Sequence, residues 1–200
     1  MTDRVAGAAI AVLLAPVLAV VAVLVRICDG APVLFAQERA GLRGRPFAIL
    51  KFRTMRSRRP TDRSEEDRMT RLGRLLRASS LDELPSLWNV VRGDMNLVGP
   101  RPLPVAYNAL YSPTQARRLE VKPGLTGLVQ VQGRNGLSWD EKFELDTWYV
   151  EHRSWRLDLQ LLARTPLAVL TGSGVSHPGN ATMPVFGAGG HPGAPGTPRG

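Results

Sequence analysis

The feature that most constrains this sequence is an apolar run close to its start. From Val5 to Val25 the chain has 21 residues without a charge, and Arg4 and Arg26 flank them. At a rise of 1.5 Å per residue, a continuous helix of that length would extend about 31 Å, which matches the hydrocarbon core of a bilayer. The run therefore predicts a segment embedded in a membrane.

The run is not typical of a cleaved signal peptide, which has a basic leader, a shorter apolar stretch and a small-x-small cleavage site. Pro16 lies near its midpoint, where the missing N–H and the ring break or kink a helix. Two structures stay open: a straight transmembrane span, or a re-entrant hairpin that enters and leaves through one leaflet. Arginines at both ends give no charge asymmetry that would place the ends on opposite sides.

Positive charge is concentrated shortly after the apolar run. Residues 38–77 hold 13 basic and five acidic residues, a net +8 of the +9 carried by the whole chain. Only three of its 26 basic residues are lysine, so nearly all are guanidinium groups, which favour phosphate partners. Beside a membrane segment, such a block predicts attraction to anionic head groups on the cytoplasmic face, although a solvated basic face without a ligand stays open.

Several familiar kinds of site are excluded by the residues present. The single Cys28 excludes a disulfide framework and a cysteine-based zinc site, and the three histidines form no HExxH motif. No P-loop or GxGxxG motif follows a strand, and no Asp-x-Asp triplet occurs. P-loop enzymes, enzymes with a dinucleotide-binding fold, zinc hydrolases and transferases that use an Asp-x-Asp triplet are therefore disfavoured.

Helices are predicted over residues 81–92, 138–153 and 158–171. The first has the form of a capping box, with Ser80 before it and Glu83 three residues later, and Gly93 is placed to end it. The second is opened in the same way by Ser138 and Glu141. The third has an amphipathic pattern.

Short strands are predicted at residues 33–35 and 128–132. The prolines in 96–102 and 122–127 predict rigid loops without regular structure. Aromatic residues of the second predicted helix and just beyond it fit either a membrane interface or an ordinary core. They are Trp139, Phe143, Trp148, Tyr149 and Trp155.

Residues 172–200 contain 14 glycines or prolines among 29 residues and a single charge. Because such a segment buries little apolar surface, it is predicted to be disordered.

Asp82 and Glu83 form an adjacent carboxylate pair at the start of the first predicted helix. Acids in a first helical turn also stabilise the helix dipole, so a purely structural role stays open. In the functional interpretation, the helix start is an anion site and Asp82 is an ionised nucleophile. Neighbouring helical side chains point about 100° apart, which favours different roles for the two carboxylates.

Long motifs, in order between residues 4 and 171, resemble those of the monotopic phosphoglycosyl transferases. These are the bacterial sugar transferases that start polyprenyl-linked glycan assembly. The similar blocks are residues 35–41, 51–55, 77–95, 97–102, 122–127 and 133–135.

With this resemblance, the chain is expected to have an α+β fold in three parts. Residues 1–28 form a re-entrant membrane helix, and residues 29–171 form a small, mostly helical cytosolic catalytic domain with short strands and amphipathic interface helices. Residues 172–200 form the disordered Gly/Pro-rich tail.

The resemblance implies a UDP-sugar donor, a polyprenyl (undecaprenyl) phosphate acceptor, Mg²⁺ and contact with membrane lipid, and no nucleic acid. It places the enzyme on the cytoplasmic face of the inner membrane, at the first membrane step of exopolysaccharide, capsule, O-antigen or glycoprotein assembly.

The resemblance also implies roles for individual residues. Asp82 would attack the sugar-bearing phosphate, release UMP and carry the phosphosugar covalently. Glu83 would bind Mg²⁺ or orient the pair, and both carboxylates are candidate metal ligands. Candidates for holding phosphates are Lys51, Arg53, Arg77, Arg101 and Arg134. A different class of function is a non-enzymatic, membrane-tethered basic module that binds acidic lipid or nucleic acid.

Overall fold

The computed structural model describes residues 2–57, 59, 60, 62, 64, 66–133, 136–170, 186 and 187. Its helices are α1 (Thr2–Leu13), α2 (Ala15–Cys28), α3 (Arg71–Ala78), α4 (Leu87–Arg92), α5 (Pro113–Ala116), α6 (Leu128–Gln132), α7 (Trp139–His152) and α8 (Trp155–Leu170). Its strands are β1 (Leu34–Ala40), β2 (Pro46–Phe52), β3 (Asn96–Val98) and β4 (Gly124–Thr126). Helices make up most of the fold, and the strands form two small two-stranded sheets, one antiparallel and one parallel, which agrees with the predicted α+β class.

The apolar run folds as two helices with a bend of 62° between them. Pro16 lies in the first turn of α2, where its missing N–H costs no helical hydrogen bond, so the break falls just before it. Within the described residues, no single helix is long and apolar enough to cross a membrane, whereas α1 and α2 together meet that length and composition.

Both N-terminal helices pack against the rest of the fold. Gly7 of α1 lies against Val90 of α4, and a Cβ at Gly7 would come within 2.8 Å of a Val90 methyl group. The Arg4 side chain donates hydrogen bonds to the carbonyls of Val91 and Arg92 at the end of α4. The start of α1 is therefore fastened to the part of the chain that carries the carboxylate pair.

Two hydrophobic cores hold the molecule together. The larger contains Leu87, Val90 and Met95, with α1 packed against it, and Leu161 of α8 is buried in it. The smaller joins α2 to β2 and α3, through Val21, Val25, Phe52 and Leu76. Because α1 and α2 supply apolar side chains to both cores, they are part of the fold as well as candidates for membrane contact.

Strands β1 and β2 form an antiparallel hairpin that pairs Leu34 with Phe52 and Ala40 with Pro46. The predicted strand at 33–35 is thus the start of a longer one. Strand β2 packs against the segment that carries Asp82 and Glu83.

The loops predicted at 96–102 and 122–127 are wrong in part, since β3 and β4 lie within them as a short parallel pair. The prolines bracket these three-residue strands and do not interrupt them: Pro100 follows β3 and Pro123 precedes β4. Pro100 and Pro123 also accept backbone hydrogen bonds, from Gly124 and Asn96. A proline just outside a strand end removes no ladder hydrogen bond.

The strand predicted at 128–132 is also wrong, because these residues form α6. This short helix packs against α7 and α8, and these tertiary contacts outweigh the local preference for a strand.

The helix predicted over 81–92 is in two parts: a 3₁₀ segment, Leu81–Ser86, followed by α4. Pro85 has no N–H to donate to Leu81, which disfavours α-helical bonding in that turn. The capping box predicted at Ser80 is wrong, since its side chain makes no cap and its backbone is left-handed, with φ +56°. Gly93 ends α4 as predicted, with φ +90°.

The other two helix predictions are confirmed. Ser138 and Glu141 form both halves of a capping box at the start of α7. Helix α8 begins three residues earlier than predicted, at Trp155. Of the aromatic residues, Phe143 and Tyr149 are buried in the core, whereas Trp148 and Trp155 are exposed, and their contact with a membrane interface stays a prediction.

Of the predicted tail, the structure describes Phe186 and Gly187, and the other residues of 172–200 lie outside the described residues. The Phe186 side chain is buried, with 4% of its surface exposed. The expectation of a disordered tail stays a prediction for the remainder and does not account for Phe186.

Candidate active site

The carboxylate pair is positioned by a sharp turn followed by a buried anchor. Ser80, in the left-handed region, redirects the chain from α3 into the 3₁₀ segment. The anchor is Asn89, which is fully buried: its Oδ1 accepts from Leu50 N at 3.0 Å and its Nδ2 donates to Ala48 O at 2.7 Å. These bonds fix α4 against β2, so Lys51 is held next to the carboxylates.

Glu83 is clamped between two cations. Lys51 Nζ donates to Glu83 Oε1 at 2.7 Å, and Arg101 binds both carboxylate oxygens, at 2.5 and 3.2 Å. Burial alone would raise the pKa of Glu83, but the charges of Arg101 and Lys51 outweigh it and hold the pKa well below its usual range. Glu83 is therefore a fixed anion.

Asp82 is in the opposite situation. Its side chain is buried, and no described residue donates a hydrogen bond to its carboxylate. Burial, followed by the negative charge of Glu83, raises the pKa of Asp82 to about 6, against the opposing effect of Lys51, Arg77 and Arg101. Adjacent carboxylates with pKa values pushed apart are a signature of divided roles in a reaction.

The pair faces a cleft of about 1640 Å³. Its lining residues come from the 3₁₀ segment and β2 and from α7 and α8. Cations and apolar side chains both line it, so it can accept a ligand with charged and apolar parts.

The structure brings together three of the five predicted phosphate-binding residues. Lys51 and Arg101 contact Glu83, while Arg77 lines the cleft, acts electrostatically on Asp82 and donates from Nε to Thr54 Oγ1 at 3.0 Å.

Of the other two predicted residues, Arg53 is not assembled with them. Arg53 lines the cleft, but its guanidinium group donates to the carbonyls of Asp29 and Ala31 and so supports the chain after α2. Arg134 lies outside the described residues.

Sequence reasoning missed a buried ion pair behind Arg101. Arg118 is 3% exposed and donates from Nε and Nη2 to Asp146 Oδ2 at 3.0 and 2.8 Å. It also donates from Nη2 to the Arg101 carbonyl at 2.6 Å and from Nη1 to Tyr111 Oη at 3.1 Å. The pair therefore holds the Arg101 backbone, and no local motif marked Arg118.

Lys142 was missed as well. It lines the cleft from α7, and burial, followed by the charge of Arg101, lowers its pKa to about 8. Its i,i+4 spacing to Asp146 on one helix face is a signal that could have found it.

The described residues contain no group of three or more His, Cys, Asp or Glu side chains that could hold a metal ion. Mg²⁺ commonly binds through one or two carboxylates together with substrate phosphates, and the Asp82–Glu83 pair fits that donor set. Both oxygens of Glu83 are engaged by cations, whereas no described residue donates a hydrogen bond to the carboxylate of Asp82.

A carboxylate pair with divided roles, set among cations in a deep cleft of an α+β fold, suits transfer of a phosphorylated group. The chain matches the family described as bacterial sugar transferase over residues 1–172.

Relatives agree with that match. The protein named uncharacterized sugar transferase EpsL, from Bacillus subtilis (strain 168), is 50% identical over 165 residues, which cover 81% of this chain and 82% of that protein. The UDP-glucose:undecaprenyl-phosphate glucose-1-phosphate transferase of Caulobacter vibrioides is 43% identical over 182 residues, covering 84% of this chain and 68% of that enzyme. The UDP-galactose-lipid carrier transferase of Erwinia amylovora is 40% identical over 192 residues, covering 86% of this chain and 40% of that protein.

The chain belongs to the bacterial sugar transferase family. The predicted enzyme class, a phosphoglycosyl transferase, is confirmed. The alternative of a non-enzymatic basic module is set aside.

Proposed function

We propose that this enzyme transfers a sugar 1-phosphate from a UDP-sugar to polyprenyl phosphate and releases UMP. The names of the Caulobacter and Erwinia relatives support the donor class and the lipid acceptor. The product, a polyprenyl diphosphate sugar, would start the assembly of a surface or secreted glycan.

The observation that carries the proposal is the difference between the two carboxylates. Glu83 is an anion held in ion pairs with Lys51 and Arg101, whereas Asp82 is buried, accepts no hydrogen bond from a described residue and has a pKa raised to about 6. At neutral pH Asp82 is still largely ionised. Because few groups solvate this carboxylate, it gives up little solvation energy when it attacks.

In the proposed reaction, an Asp82 carboxylate oxygen attacks the phosphorus that bears the sugar. The bond from that phosphorus to the bridging oxygen breaks, and UMP leaves with the electron pair. A phosphate oxygen of the polyprenyl acceptor then attacks the same phosphorus, and the acyl phosphate bond breaks to return the Asp82 carboxylate.

The cations around the pair have separate tasks in this scheme. Arg77 lines the cleft and is free of any ion pair with a described acid, so its guanidinium group can meet the donor diphosphate. Arg101 and Lys51 hold Glu83 in place, which keeps a negative charge beside Asp82 and prevents Asp82 from being neutralised by a direct ion pair. Positioning and charge balance are the main contributions a protein makes to phosphoryl transfer.

Mg²⁺, held by Asp82 and Glu83 together with the donor phosphates, would supply neutralisation of the diphosphate charge. For Glu83 to take part, one of its contacts to Lys51 or Arg101 would have to open.

We further propose that α1 and α2 form a re-entrant hairpin in one leaflet, with the catalytic part on the cytoplasmic face. The 62° bend and the hydrogen bonds from Arg4 to the end of α4 support this arrangement. A straight span would carry Arg4 about 30 Å from the other end of the run.

The test uses the purified full chain in lipid nanodiscs with Mg²⁺, polyprenyl phosphate and a panel of UDP-sugars, and measures UMP release. Without acceptor, the wild-type chain incubated with the active donor should gain the mass of one phosphosugar. Asp82→Asn should not gain it, and its turnover should fall by several orders of magnitude while donor binding is retained.

Glu120→Gln is the matched control, because Glu120 is exposed and pairs with Arg117 away from the cleft. It should behave as wild type. If Asp82→Asn kept near-wild-type turnover, the covalent step would be wrong, and direct attack by the polyprenyl phosphate would replace it.

A further inference from the structure

Phe186 occupies a cluster of four aromatic rings. Its ring centroid lies 4.9 Å from that of Phe143, 5.4 Å from that of Trp139, 5.5 Å from that of Tyr107 and 6.0 Å from that of Tyr111. Its backbone N–H donates to Tyr107 Oη at 3.2 Å. We call these four residues the ring cluster; Phe186 completes it and is 4% exposed.

The next residue fits this contact. Gly187 has φ +86°, a conformation that side-chain-bearing residues rarely adopt, and a Cβ there would lie 3.1 Å from Leu110. The backbone at this point therefore requires glycine in order to present Phe186 to the ring cluster.

Two members of the ring cluster also line the active-site cleft. Trp139 and Phe143 line the cleft as well as contacting Phe186. Lys142, between them in sequence, lines the cleft with its Nζ 5.2 Å from the centre of the Trp139 ring. A change in the packing of these rings moves cleft-lining side chains directly.

A second connection runs through Tyr111. Its hydroxyl accepts from Arg118, which in turn donates to the carbonyl of Arg101, whose guanidinium group holds Glu83. The contacts from Phe186 to the carboxylate pair are therefore continuous, by ring packing and then by hydrogen bonds.

We propose that Phe186 is a positioning residue of the active site: by completing the ring cluster it holds the α7 wall of the cleft in its donor-binding arrangement. Phe186 lies beyond residue 172, where the family match ends. The inference rests on the proposed function only in taking a UDP-sugar as the ligand.

Docking is tested without any turnover. Full-length protein carrying p-benzoylphenylalanine at position 186 is irradiated, digested and analysed by mass spectrometry. Cross-links should fall in residues 104–112 and 139–143. The same photoreactive residue at Trp155, on the exposed surface of α8, gives the background. Cross-links from position 186 distributed as in that background would overturn the proposal.

The positioning role is tested by kinetics. Phe186→Ala should raise the donor KM about three- to tenfold, as expected for the loss of aromatic packing, with kcat changed less than twofold. Phe186→Leu should recover part of the loss, since it restores apolar volume. An unchanged KM in Phe186→Ala would show that the ring cluster keeps its packing without Phe186, and it would overturn the proposal.

A matched pair of truncations separates Phe186 from the residues after it. A chain ending at Gly187 should have the wild-type KM, whereas a chain ending at Val185 should behave like Phe186→Ala. If both truncations raised the KM equally, residues after Gly187 would be responsible and the proposal would be wrong.

Failure of the proposed function gives a different pattern. If the wild-type chain turns over no UDP-sugar, calorimetric titration with UDP replaces the KM: about three- to tenfold weaker binding in Phe186→Ala supports the positioning role. Equal binding, or no binding by either protein, overturns it.

Discussion

At the scale of single residues, the site depends on keeping two neighbouring carboxylates different. Arg101 contributes to this difference by gripping both oxygens of Glu83, which a planar guanidinium group can do and an ammonium group cannot. Asp82, one residue earlier, is left without such a partner among the described residues. The chain therefore places a comparatively unstable charge at the position of the proposed nucleophile.

The first prediction concerns the stability that this charge costs. The folded state raises the pKa of Asp82 from 3.8 to about 6, so the folded protein binds more protons than the unfolded chain between those values, and stability falls as the pH rises through that window. Above pH 6 the cost is about 3 kcal/mol. Asp82→Asn should therefore raise the melting temperature at pH 7.5 by about 5–10 °C, and the gain should disappear near pH 4.

Thermal unfolding in detergent at pH 4, 6 and 7.5 measures this effect, with Glu120→Gln as a control because Glu120 is exposed and does not line the cleft. A gain of the same size at every pH would mean that the ionised carboxylate is not its source.

The second prediction concerns the bidentate contact between the guanidinium group of Arg101 and the carboxylate of Glu83. Arg101→Lys keeps the positive charge but can contact one oxygen of Glu83, so kcat/KM should fall about 10- to 100-fold, in line with the loss of a charge-assisted bidentate bond. Arg117→Lys is the matched control, since Arg117 pairs with Glu120 and Glu151 on the surface. Equal effects of the two substitutions would argue against a specific role for the bidentate contact of Arg101 with Glu83.

At the scale of secondary-structure elements, the predictable parts were those with local causes. The start of α7 could be predicted because Ser138 and Glu141 satisfy each other's backbone groups within one turn. The helical state of α6 could not, because it depends on tertiary packing against α7 and α8 and not on a signal within its own five residues. In the site, motifs identified Asp82 and Glu83 in advance, whereas Arg118 acts through tertiary contacts that no motif marks.

The third prediction tests the packing of α1 on α4. A side chain at Gly7 would clash with Val90, which is fully buried and branched at Cβ, so Gly7→Leu should lower the melting temperature by about 5 °C or more. Ala9→Leu adds a larger side chain on the exposed face of the same helix and should leave the melting temperature nearly unchanged. Similar behaviour of the two variants would mean that α1 is not held against α4.

At the scale of the whole molecule, the contacts of Arg4 support the re-entrant hairpin proposed above over the straight span that the sequence also left open. They bring the N-terminus of the apolar run back to the end of α4, which a straight membrane-crossing helix could not do. The proposed hairpin therefore puts both of its ends on the side of the catalytic fold.

The fourth prediction tests that topology. Cys28 is the only cysteine and is exposed, so it is first replaced by serine. In that background, Thr2→Cys should react with a membrane-impermeant maleimide only after the cells are opened. Labelling in intact cells would support a straight span and contradict the hairpin.

The contribution of α1 and α2 to both cores has a practical consequence for protein engineering. A water-soluble form of this enzyme cannot be obtained by deleting residues 1–28. The deletion would remove Val21 and Val25 and expose Phe52 and Leu76, which pack against them, to solvent. Such a form requires that both helices are kept and that only the apolar residues on their outer face are replaced by polar ones. The positions to change are Val5, Val12, Leu13, Val17, Val20, Val23, Leu24 and Ile27, all of them exposed.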